Sequence, residues 1–149
     1  MPELTLSPVT APDTTEDDPR LGHLLGNPER DVSDATTVLL GFPVDKGVIR
    51  NGGRPGAADA PDRIRQWLYR MTPDARRHGA FVDLLRHLVD LGDLSTDASL
   101  ATLQSRLGEA LGSHLRQGRV PITLGGGHET AYGHFLGYVE AERDVTILN

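Results

Sequence analysis

The chain predicts an α/β fold of three layers, with helices on both faces of a mainly parallel sheet. Three observations carry that expectation. From residue 35 onward, short apolar runs alternate with segments of helical spacing, which is the pattern of βαβ units whose strands are covered on both sides. One of those runs, Val120-Pro121-Ile122-Thr123-Leu124, leads directly into Gly125-Gly126-Gly127-His128-Glu129, a composition suited to a strand-to-helix turn. The final residues, Val145-Thr146-Ile147-Leu148-Asn149, read as a further buried strand whose covering elements lie outside the sequence, so residues 35–149 are expected to be the N-terminal portion of one larger α/β domain.

Residues 1–34 are rich in Pro, Asp and Thr and show no sustained period, so they are expected to form an acidic, mobile arm. Thr37 to Pro43 is a candidate buried strand stopped by proline, and Asp45 to Gly56 a polar, glycine-rich loop. Pro61 suits the first turn of a helix, where its missing N–H costs nothing, with Ile64, Leu68 and Met71 forming its apolar face. Leu88 to Asp93 reads as a second strand. Leu100, Leu103, Leu107, Ala110, Leu111 and Leu115 keep helical spacing over four turns, and Gly118 sits where a left-handed cap would end that helix. The strand at Val120 to Leu124, the glycine turn, a helix from about Glu129 to Tyr138, and the closing run complete the order.

Charge and composition narrow the partners. Residues 1–34 hold eight carboxylates against Arg20 and Arg30, which accounts for the whole net charge of -6; the remainder is balanced. There is no basic footprint for nucleic acid or anionic lipid and no stretch long enough to span a bilayer, so a small-molecule partner and a cytoplasmic location are expected. Without cysteine, any metal must be held by histidine and carboxylates, which favours a harder divalent ion such as manganese.

The glycine turn is the candidate site. In open parallel sheets, ligands bind beyond the carboxyl ends of the strands, and glycines let backbone and imidazole approach them closely, so His128 reads as a metal ligand. Arg50, Asn51 and Arg54 would share its rim, where arginine can bind a carboxylate bidentately. Glu129 suits a helix N-terminus for dipole reasons and could orient a neighbouring ligand; His134 reads as a packing group or as a support for a neighbouring ligand. His23, His78, His87 and His114 have no motif and are expected to be surface or helix residues. A phosphate-binding module is disfavoured, because the sequence has no Gly-x-Gly-x-x-Gly and no Gly-Lys-Ser/Thr.

The blocks Gly125 to Phe135, Gly41-Phe42-Pro43-Val44-Asp45-Lys46-Gly47-Val48, Arg50 to Ala57 and Pro61 to Arg65 together resemble the ureohydrolase, or arginase, superfamily, and within it the formimidoylglutamase branch. Gly127 and Glu129 on either side of His128 point to that branch, since arginases and agmatinases usually carry Asp and Ser there. The resemblance implies an arginase-like fold and a pair of manganese ions that activate a water for attack on a C=N carbon. It also implies a small amidine or guanidine substrate, formimidoylglutamate in the first place, and a homo-oligomer when complete. Only His128 carries over as a metal ligand; the family's Asp-Ala-His-x-Asp and later Asp-x-Asp motifs are not in the sequence, and the chain stops just before the first of them. Alone it is therefore expected to be inactive. The alternatives are an agmatinase- or guanidinobutyrase-like enzyme and a non-enzymatic truncated homologue.

Overall fold

The computed structural model describes residues 2–5, 9–13, 18–25, 32–73 and 78–148. Among these, β1 (Leu4–Thr5), β2 (Thr37–Phe42), β3 (Leu88–Leu94) and β4 (Val120–Gly125) form one sheet in the order β1-β3-β2-β4. β2 runs parallel to both β3 and β4, and β1 is antiparallel along the outer edge of β3. The helices are α1 (Leu21–Leu24), α2 (Lys46–Arg50), α3 (Ala60–Leu68), α4 (His78–Arg86), α5 (Leu100–Arg116) and α6 (Glu129–Glu140). Residues of α1, α3 and α4 cover one face and α5 the other, so the three-layer α/β/α architecture read from the sequence is the one observed.

The layers follow from the period of two along β2. Val38, Leu40 and Phe42 point into a core shared with Leu103, Leu107 and Leu111 of α5, whereas Leu39 points into a second core with Leu21, Tyr69, Leu85 and Leu124. Each such buried leucine contributes about 1.5–3 kcal/mol relative to an exposed one. Ser99 caps α5 by accepting from the Thr102 N–H at 3.3 Å, and Gly118 follows its end at φ 77°, the left-handed conformation expected there. Against α5 lies α6, brought close by glycines four apart in both helices. A Cβ on Gly108 would meet Leu136 at 2.8 Å, and one on Gly137 would meet Leu111 at 2.8 Å.

The helix after Pro61 forms, with Pro61 in its first turn, but it buries a different face from the expected one. Ile64 is 42% exposed and Met71 56%, while Arg65 is fully buried. The reason lies in β3. The Arg65 guanidinium donates to both carboxylate oxygens of Asp90, at 2.8 and 2.9 Å, to Asp93 at 2.6 Å and to the Gly92 carbonyl at 2.8 Å. Tyr69 donates to Asp90 at 2.6 Å, and the Gly92 N–H donates to Asp90 at 2.9 Å. Burial opposes charge on Arg65, but the hydrogen bonds and charges of Asp90 and Asp93 outweigh it and push its pKa up. Burial, with the bond to Asp90 second, also pushes the Tyr69 phenol up. Asp93 carries the opposite strain: burial raises its carboxyl despite the pull of Arg65. Arg65 lowers the pKa of both Tyr69 and Asp93, but the burial of each outweighs that pull.

Three other expectations are corrected. Lys46 to Arg50 is a helical turn rather than loop, held from outside by partners described below. The arm is partly docked: Leu4 and Thr5 pair with Leu94 and Asp93, and Leu21 and Leu25 are buried against Tyr69 and Leu85, because these few apolar residues cover sheet and helix surface that would otherwise be wet. The other residues of the arm lie in part outside the described residues. Val145 to Leu148 forms no strand. Leu148 is 93% exposed, and the free edge of β4 takes no partner among the described residues, so Val145, Ile147 and Leu148 have neither a ladder nor a covering layer. Asn149 lies outside the described residues.

Of the histidines without a motif, His114 is a helix residue, buried on α5 with its Nδ1 3.0 Å from Arg119 Nη1. Burial, and then the Arg119 charge, lowers its pKa; burial alone lowers that of His134. Among the described residues no helix is long and apolar enough to cross a membrane.

Removal of the guanidinium would strand two carboxylates. Arg65→Met is expected to lose about 3–5 kcal/mol in urea unfolding, and a loss under about 1 kcal/mol would contradict the network described. The histidines give a pH dependence of definite sign. With folded pKa values below the unfolded value of about 6.5, they add stability that is complete above that pH and lost as pH falls through it. Melting temperature should therefore fall between about pH 7.5 and 5.5, less steeply in His114→Gln; an equal slope in that variant would remove His114 as a cause.

Candidate functional site

The parallel register decides which loops meet. Phe42 pairs with Gly125 at the carboxyl ends of β2 and β4, so the segments that follow the two strands leave the sheet side by side. The ladder continues past the strands, with the Gly126 N–H donating to Phe42 O at 3.1 Å and the Gly127 N–H to Val44 O at 2.8 Å. Gly126 has to be glycine for this, because a Cβ there would lie 2.0 Å from Val44 O, a backbone atom that cannot step aside. The turn ends at His128, which begins α6 and is exposed; Thr130 closes it by donating from both N–H and hydroxyl to Gly127 O, at 3.0 and 2.7 Å.

Opposite the turn, the segment after β2 is held at several points. Asp45 accepts from the Gly56 N–H at 2.7 Å and the Ala58 N–H at 3.4 Å, which closes residues 45–56 into a compact loop. Lys46 donates to the carbonyls of Thr96 and Ala98 after β3. Glu129 accepts from the Gly47 N–H at 2.6 Å. Between loop and turn lies an open cavity of about 440 Å³, lined by Gly47, Arg50, Asn51, Leu100, His128 and Glu129 among others.

The structure thus brings Arg50 and Asn51 to the same cavity as His128, from sequence positions almost eighty residues away. Arg54 is exposed on the same loop and is not part of the cavity lining. Glu129, omitted from the candidate ligands, lines the cavity and spends its carboxylate on Gly47. His134 is a packing group: its Nδ1 lies 3.1 Å from the Thr123 hydroxyl, and its ring stacks on Tyr138 with centroids 5.8 Å apart. Sequence reasoning overlooked the Arg65 network; the signal for it was the pair of aspartates in Asp90-Leu91-Gly92-Asp93, set in an otherwise apolar strand. Among the described residues no three His, Asp or Glu side chains come together to hold a metal ion. A divalent pair needs several carboxylates, and His128 alone offers one nitrogen, so the residues present do not fit a binuclear centre by themselves.

The structure defines a three-layer α/β/α domain with a cavity beyond the carboxyl ends of adjacent parallel strands, the place where proteins of this class bind ligands. The sequence matches the arginase family over residues 35–149, and the chain belongs to that family. It is 41% identical over 114 residues to a formimidoylglutamase of Chromobacterium violaceum, a match covering 73% of this chain and 33% of that protein. A formimidoylglutamase of Salmonella heidelberg is 43% identical over 114 residues, covering 74% and 34%. The chain therefore spans about a third of the length of the curated relatives it matches. The solved formiminoglutamase of Trypanosoma cruzi with Mn2+ superposes with a TM-score of 0.69 at 30% identity, covering 83% of this chain and 41% of that one. An agmatine ureohydrolase of Thermoplasma volcanium, at 24% identity and a TM-score of 0.58 over 70% of this chain and 34% of that one, shares the fold.

Proposed function

We propose that these residues are part of a formimidoylglutamate hydrolase, which cleaves the substrate to glutamate and formamide. In this reading His128 is one donor to manganese, and Arg50 and Asn51 receive the substrate's carboxylates. One arrangement supports it above all: an imidazole on a glycine turn and a guanidinium on the facing loop share one cavity at the strand ends. The two carboxylates of formimidoylglutamate ask for fixed cationic and amide donors, and a guanidinium can bind a carboxylate through two parallel N–H groups. Asn51 adds a planar amide beside it. A manganese pair, when bound, supplies Lewis-acid activation of water. The chain's own residues leave that pair's site incomplete, and the 149 residues by themselves are read as inactive.

The test is a chimaera in which residues 35–149 replace the matching segment of the Chromobacterium violaceum formimidoylglutamase. Manganese-dependent release of formamide from N-formimidoyl-L-glutamate is expected, and His128→Ala should abolish it. In the same protein Arg50→Ala should raise KM about tenfold with little change in kcat, and Arg54→Ala should do less. The 149-residue chain alone should neither release formamide nor take up manganese tightly in calorimetry. A folded but inert chimaera, or an Arg50→Ala variant with unchanged KM, would overturn the reading.

A further inference from the structure

Glu129 opens α6, where a carboxylate is ordinarily favourable because it faces the helix's positive end. Here the carboxylate does something more specific. It leaves its own helix and accepts the Gly47 N–H at 2.6 Å, across 82 positions of sequence. Gly47 is the second residue of α2, and its carbonyl accepts the N–H of Asn51 at 3.1 Å at the other end of the same turn. A continuous run of hydrogen bonds therefore joins the residue after His128 to the residue after Arg50.

The packing around that carboxylate is as selective as the bond. A Cβ on Gly47 would lie 2.9 Å from Glu129 Oε2, and a Cβ on Gly127 would lie 2.0 Å from the same oxygen and 2.7 Å from Val48 Cγ2. Two glycines thus leave the space that one carboxylate fills, and α2 rests directly on the turn through Val48. Gln104 of α5 holds the Glu129 backbone from the far side, donating to its carbonyl at 3.0 Å. α2 is five residues long, too short to persist as an isolated helix, so its place depends on such outside contacts.

We propose that Glu129 is a positioning residue whose carboxylate fastens the turn bearing Arg50 and Asn51 to the turn bearing His128. Its meaning for substrate binding rests on the function proposed above, but the link itself needs neither metal nor substrate. It sets the distance between the group that would hold the metal and the groups that would hold the carboxylates. Gly127 and Glu129 act as a pair: the first residue stays bare so that the second can reach Gly47.

Hydrogen exchange of the 149-residue chain, read by mass spectrometry at residue level in the absence of metal, tests the link in three forms: unchanged, Glu129→Gln and Glu129→Ala. The amide oxygen of Gln keeps an acceptor in place, whereas Ala removes it. Glu129→Ala should speed exchange at Gly47 and Asn51 about tenfold or more, with β2 and α5 unaffected, and Glu129→Gln should restore most of the protection. The proposal is overturned if Gly47 exchanges at an unprotected rate in the unchanged chain, if Glu129→Ala leaves it protected, or if β2 and α5 accelerate equally, since the last result would make Glu129 a support of the whole fold. An inert chimaera would remove the proposed activity and leave this result standing.

Discussion

The ion network of Arg65, Asp90 and Asp93 is the constraint on which the rest of the sheet depends. It seats a fully buried guanidinium between α3 and β3, and every donor bond it makes ends on β3 within four residues. To present Asp90 and Asp93 to one arginine, β3 departs from its regular pairing with β2 between Leu39 and Gly41, and Gly92 takes φ 81°. Gly41 must remain bare in consequence, because a Cβ would lie 1.7 Å from Asp93 Oδ1. A buried pair of this kind adds little net stability over an apolar one, but parting it leaves an uncompensated buried charge, which disfavours placements of α3 that take Arg65 away from β3. β2 itself ends at Phe42, where Pro43 stops the strand and the segment leading to Arg50 and Asn51 begins.

Close approach through missing side chains also shapes the fold around the cavity. Gly126 lets the turn after β4 lie on the backbone after β2, Gly127 and Gly47 admit one carboxylate, and Gly108, Gly112, Gly133 and Gly137 bring α6 against α5. The last contact matters for the cavity, because α6 begins at the histidine turn and Leu100 at the start of α5 lines the cavity's wall. The site is therefore bounded by the two segments after β2 and β4 and by the start of α5, with Arg50, Asn51, Leu100, His128 and Glu129 lining it. Its exposed groups, Arg50, Asn51 and His128, project from elements whose own positions are strongly fixed.

How much was legible in the sequence varies with the range of the interactions involved. α5 was legible because its six apolar positions repeat with the helical period and all are buried. β2, β4 and the turn to α6 were legible from apolar runs ended by proline or glycine, and β3 from the apolar residues Leu88, Val89 and Leu91. The face of α3 was misread because Arg65 counts as a polar, outward residue until its partners on β3, 25 and 28 residues on, are known. α2 was read as loop because its glycine-rich composition is poor for a helix, and the contacts that hold it come from Glu129, Asn51 and Lys46's bonds beyond β3. The run Val145 to Leu148 has strand composition but no strand to pair with among the described residues, and a strand exists only as part of a ladder.

The sequence by itself determined the class of fold, the order of its main elements, the family to which it belongs, and His128 on its glycine turn, since each depends on local period, local turn chemistry or a short run of residues. Tertiary structure alone decided which side of α3 is buried, how far the arm docks, that Arg50 and Asn51 share a cavity with His128 while Arg54 does not, and that Glu129 bonds to Gly47. Those outcomes depend on parallel register and on pairings across tens of residues. Nothing in the local pattern encodes such pairings, because the free energy that selects them comes from hydrogen bonds, ion pairs and close packing between segments that only folding brings together.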